Sequence, residues 1–156
     1  MRSHRWRMVL LLACALTPVA YAQSGTNAAA DTEYVPRLGD IMTAIQTRHM
    51  KLWFAGKSLN WGLAAYELGQ IKAGLVEAAS MYTGIPAANV NTMGDPVQSV
   101  SDAIEARDSR RFSRAVGELT AGCNACHQSM GHGYIVMRVP DASPFSDQVF
   151  APQDKR

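Results

Sequence analysis

Late in the chain the sequence reads Cys123-Asn124-Ala125-Cys126-His127, and this pentapeptide restricts the fold more than any other feature. On an α-helix, positions i, i+3 and i+4 lie on one face. A helical segment here therefore turns two thiols and one imidazole in the same direction. Only one other Cys exists, Cys14, and it lies far upstream. The chain must fold so that this helical face meets a group large enough to engage both thiols and the ring together.

The N-terminus has the three parts of an export signal. Arg2, Arg5 and Arg7 form a basic start, Met8 to Leu16 a short apolar run, and Ala20-Tyr21-Ala22 a small-x-small cleavage pattern. Residues 1–22 are expected to be a signal peptide, with Gln23 as the first mature residue and the periplasm as destination. The apolar run is too short to cross a bilayer, and no membrane-spanning segment follows. Leu11-Leu12-Ala13-Cys14 has the form of a lipoprotein box, but the apolar run before it is short for one.

Removing that signal changes the charge. The full chain has 15 Lys+Arg and 13 Asp+Glu. The signal takes three Arg and no acid, which leaves 12 against 13 and a net charge of −1. Nucleic acid is thereby excluded as a partner, because no basic footprint remains.

Cys14 leaves with the signal, so the motif holds both remaining thiols, in an oxidising compartment. A thioredoxin-type dithiol needs its Cys-x-x-Cys at a helix start in a βαβ unit, and no strand pattern is present. A zinc site needs two further ligands, for which the mature chain offers only His49 and His132. A structural disulfide leaves the adjacent His without a role. Cys-x-x-Cys-His is the attachment signature of haem c. The thiols add across two vinyl groups while His127 sets an imidazole under the iron as axial ligand. One covalent haem c is expected, on Cys123, Cys126 and His127.

The rest of the chain reads as helices. Residues 23–33 are small and polar, a flexible leader. Leu38, Ile41, Met42, Ile45, His49, Leu52 and Trp53 share a face at 3.6-residue spacing, and Gly56 is expected to end that helix. Asn60 is placed to cap a second helix with the stripe Trp61, Ala64, Leu68, Ile71, Leu75, Ala78 and Tyr82. A loop at 84–94 follows. Asp95-Pro96 opens a third, shorter helix to about Arg107. Asp108 or Ser109 caps a fourth through Phe112, Val116, Leu119, Cys123 and His127, ended by Gly131 and Gly133. The sequence thus predicts an all-α, antiparallel four-helix bundle over 34–134, with an extended tail over 135–156 lying across it.

A single Cys-x-x-Cys-His late in a chain of about four helices resembles the class II c-type cytochromes, the cytochrome c′ superfamily. The likeness covers roughly residues 34–130. Residues 48–67, RHMKLWFAGKSLNWGLAAYE, also resemble exported bacterial monohaem proteins described as "cytochrome c family". The resemblance implies an antiparallel four-helix bundle with the haem on its last helix. The chain departs from the class after the motif, where Gln128-Ser129-Met130-Gly131-His132-Gly133-Tyr134 and a long tail follow.

The sixth iron ligand decides the function. A Met or His there gives a low-spin electron carrier, and an open position a haem that binds small gases. Met130 lies one turn from His127, on the same side of the iron, and His132 is only five residues away. Met42 and His49 lie on the inward face of the first helix. In low-spin class II proteins an early Met of that helix binds the iron, and Met42 resembles it in position. His49 is the alternative ligand, and Met137 in the tail comes next. Trp53, Trp61 and Tyr66 read as packing. Arg107, Arg110, Arg111 and Arg114 form a solvent stripe opposite the haem face, a docking patch for an acidic redox partner as the sharper reading. One-electron transfer to a redox partner protein is the expected role, with a gas-binding or sensing haem protein as its rival. No distal acid–base pair suggests an enzyme, so no catalytic residue is assigned. A second copy of the chain, giving a homodimer, is a further candidate partner.

Overall fold

The apolar stripes become helices because each can bury one face against another. The computed structural model describes residues 34–153, and the expected signal peptide and leader lie outside them. Five helices run in the order α1 (Leu38–Lys57), α2 (Trp61–Met81), α3 (Ala87–Asn91), α4 (Gly94–Glu105) and α5 (Ser109–Ser129), and the described residues contain no strand. The four long helices form the bundle. The one-turn α3 sits inside the segment expected to be loop.

Ile41, Ile45, Leu52 and Ala55 of α1 are buried against Ala64, Leu68, Ile71 and Ala78 of α2. Val100, Ala103 and Ile104 of α4 meet Phe112, Ala115, Val116 and Leu119 of α5. Each large side chain fully withdrawn from water, such as Leu52, Ile71 or Leu119, contributes about 1.5–3 kcal/mol before entropy is counted. Met42 is half-buried against this core.

Two short turns make the neighbours antiparallel. Leu59 at φ 58° reverses the chain between α1 and α2, and Arg107 at φ 50° between α4 and α5. Each following helix is capped as its sequence predicts. The Asn60 side chain accepts from the Leu63 N–H at 3.2 Å, and Asp108 accepts from Arg110 and Arg111 N–H, both at 2.9 Å. Asp95-Pro96 falls inside the first turn of α4 rather than before it. α4 ends at Glu105, ahead of the left-handed Arg107.

Gly56 does not end α1, which continues to Lys57. A glycine is needed there for a different reason: a Cβ would overlap the ring of Phe112. That ring also stacks on Trp53 at 6.3 Å and meets the edge of Trp61 at 5.8 Å. One end of the bundle is thus filled by aromatic rings. Glu67, outside the α2 stripe, is nonetheless buried, because Arg48 of α1 holds its carboxylate at 3.2 Å.

The tail is extended and runs back along the bundle. Phe150 packs on Phe54 at 5.7 Å, and its carbonyl accepts from the Asn60 side chain at 3.1 Å. Among the described residues no helix is long and apolar enough to cross a membrane.

Candidate functional site

At the end of the bundle opposite the aromatic rings, the packing leaves a cavity of about 510 Å³. The start of α1 supplies Leu38, Met42 and Ile45, and the end of α2 supplies Leu75 and Ala78. α5 supplies Cys123, Cys126 and His127, and Met130 follows at its C-terminal cap. The region around α3 adds Val90 and Met93, and the tail closes the wall with Tyr134, Ile135 and Met137. The volume falls in the range of small-molecule and cofactor sites, and the lining is apolar with a few convergent polar groups, as such sites require. The site therefore gathers Cys123, Cys126, His127 and Met42, residues from opposite ends of the sequence.

The two thiols are free and partly buried. Burial, with the neighbouring Cys126 as a lesser cause, pushes the Cys123 thiol up to about 11. Burial also raises Cys126. A reactive dithiol of the thioredoxin type needs the opposite, a thiol lowered at a helix N-terminus. These lie in the last two turns of a 21-residue helix. Among the described residues no group of three or more His, Cys, Asp or Glu side chains converges to hold a metal ion. A zinc site of the usual kind thus lacks its donor set.

His127 is held by its backbone-facing nitrogen. Its Nδ1 lies 2.9 Å from the carbonyl oxygen of Ile135. A carbonyl only accepts, so Nδ1 carries the proton and the lone pair is left on Nε2. Metal-bound histidines are oriented in the same way, with the second ring nitrogen donating to a carbonyl or carboxylate. The tail that supplies this carbonyl is tied to the motif. Asn124 donates from Nδ2 to the Met137 carbonyl at 2.9 Å and accepts the Met137 N–H on Oδ1 at 2.7 Å.

His49 does not share this cavity. It lines a smaller neighbour of about 320 Å³ with Gln46, Met50, Met137 and Arg138. The Thr120 hydroxyl spends its one hydrogen on the Val116 carbonyl at 2.7 Å. His49 Nε2, 2.8 Å from the same oxygen, must therefore be the donor. Nδ1 is then an unprotonated, buried nitrogen without a partner. Burial lowers the pKa of this ring, so it is neutral at physiological pH.

Trp53 and Trp61 pack at the far end, as described, and Tyr66 is exposed under the Arg48 guanidinium at 5.8 Å. None of the three lines the cavity. Arg107, Arg110, Arg111 and Arg114 are all exposed, and Arg111 pairs with Asp102 at 3.0 Å. The roles of Asn124, Thr120 and the Ile135 carbonyl have no counterpart in the sequence reading. Each acts through hydrogen bonds to partners that no local pattern announces.

Comparison with family models, with curated proteins and with solved structures finds no match. The fold itself is an all-α four-helix bundle with an extended tail. Haem-binding cytochromes share that architecture with proteins of other function.

Proposed function

We propose that this chain is an exported monohaem c-type cytochrome that transfers single electrons. The observation that carries the reading is the placing of Cys123, Cys126 and a correctly protonated His127 on one wall of an apolar cavity. Cys123 and Cys126 would hold the cofactor through thioethers, and His127 Nε2 would be its axial ligand. Bound there, haem supplies reversible one-electron exchange at iron.

The chain's own residues do the remaining work. The apolar wall excludes water, and the tail fixes the ring of His127. Burial raises the pKa of both thiols, which keeps them protonated at neutral pH. The resemblance to class II cytochromes supports the same reading, as does the export signal expected over residues 1–22.

Met42 is the best sixth ligand. It enters the cavity from α1, across from the helix that carries His127. Met137 is tied by its backbone to Asn124, on the helix of His127 itself. His49 lines the neighbouring smaller cavity rather than this one, and its Nε2 donates to Thr120. A thioether opposite imidazole raises the potential into the range of an electron carrier.

The visible spectrum of the reduced protein, with and without carbon monoxide, tests this function. An electron carrier keeps its spectrum unchanged on brief exposure to the gas. Rapid formation of a carbonyl adduct instead identifies a gas-binding or sensing protein with an open position.

A further inference from the structure

We infer that Asn124, the second residue of the motif, is a positioning residue that fastens the tail against α5 and so favours one ring tautomer of His127. The inference builds on the reading of His127 as an iron ligand, but it concerns the protein's own hydrogen bonds. Three contacts carry it. Asn124 pairs with both backbone groups of Met137, at 2.9 and 2.7 Å, as a neighbouring strand would. Two residues before Met137, the Ile135 carbonyl accepts from His127 Nδ1 at 2.9 Å.

The two contacts join the same face of α5 to the same stretch of tail. Asn124 and His127 lie three residues apart on α5, on adjacent turns of one face. Met137 and Ile135 lie two apart on an extended segment, so their carbonyls recur along it on the same side. A pair of bonds at Asn124 therefore sets the register in which the Ile135 carbonyl meets the imidazole. Backbone bonds also tie the turn that leads into this segment: the His132 N–H donates to the His127 carbonyl at 2.7 Å, and the Ile135 N–H to the His132 carbonyl at 2.8 Å. The side chains of Tyr134, Ile135 and Val136 are nevertheless all exposed, Val136 at 74%. Beyond that turn, the Asn124 pair is what fastens the extended stretch at Met137 to α5.

The consequence is chemical. Nδ1–H donation to a carbonyl leaves Nε2 bare, and it makes the ring a stronger base toward a metal. Unconstrained imidazole divides its proton between the two nitrogens. The Asn124 clamp thus favours the tautomer whose Nε2 lone pair could bind iron.

The test uses the full chain labelled with ¹⁵N-histidine and prepared without haem, so the tautomer of His127 is read directly by NMR at neutral pH. Wild type should show His127 protonated on Nδ1. Asn124→Ala should move a substantial share of the protons to Nε2, with helicity by circular dichroism unchanged. Asn124→Asp keeps the bond from the Met137 N–H and should lie between them. Ala125→Ser, at the exposed neighbouring position, should match wild type. A wild-type His127 protonated on Nε2 overturns the proposal, as does an Asn124→Ala chain that keeps its helices and its Nδ1–H tautomer. If Asn124→Ala loses helicity, Asn124→Asp decides: a wild-type tautomer there counts against the clamp, and an intermediate one supports it. Haem staining of the exported wild type reports separately on the cofactor reading, so the two can fail independently.

Discussion

His127 donates its Nδ1 proton to the carbonyl of Ile135 at 2.9 Å, so one bond joins the last turn of α5 to the start of the tail. It makes the tail part of the site rather than an appendage, since the same segment walls the cavity with Tyr134, Ile135 and Met137. The two ends of the bundle thus differ in packing. One end is packed around Phe112, and the other holds the cavity.

Met42 sits on the α1 wall of that open end. If it binds iron, the oxidised wild type has a weak sulfur-to-iron charge-transfer band in the far red. Met42→Ala should lose the band, become high-spin and gain carbon monoxide binding. A band that survives in Met42→Ala transfers the role to Met137. Loss of low-spin character only in His49→Ala indicates a bis-histidine iron.

Gly56 should tolerate no side chain. Its missing Cβ is the space occupied by the Phe112 ring, which is itself held between Trp53 and Trp61. Gly56→Ala therefore overpacks a fully buried site and should cost about 1–3 kcal/mol. Urea unfolding followed by far-ultraviolet circular dichroism measures it. An unchanged midpoint contradicts the packing described.

His49 makes stability depend on pH. Its folded pKa lies below the ordinary 6.5 because burial disfavours the imidazolium. The unfolded chain therefore binds the proton first as pH falls. This contribution is fully present above pH 6.5 and is lost progressively below it, toward the folded pKa. His49→Leu removes the titrating group, so its unfolding midpoint should vary less between pH 7.5 and 5.5 than that of wild type. Equal slopes in the two proteins mean that His49 is not buried neutral.

The architecture was largely legible in the sequence because its signals are local. Apolar spacing set the four long helices, and Asn60 and Asp108 cap as their side-chain chemistry dictates. What escaped the sequence depends on distant partners. Gly56 looked like a helix stop because Phe112 is 56 residues away, and the burial of Glu67, outside the α2 stripe, depends on Arg48 one helix back. α3 is a single turn of five residues, too short to carry a period. The motif was plain, whereas its support was not: Asn124 occupies a position that the motif leaves free, and a backbone carbonyl such as that of Ile135 has no signature in any residue's identity.

Covalent haem is measured most directly on the chain itself, exported from a bacterial host that carries a haem-attachment apparatus. Mass spectrometry of the purified protein should show the loss of residues 1–22 and the gain of one haem. The haem-stained band should survive denaturing electrophoresis and vanish when Cys123→Ser and Cys126→Ser are combined. A wild-type mass without haem, or a double variant that still stains, contradicts the assignment of Cys123 and Cys126 as its attachment points.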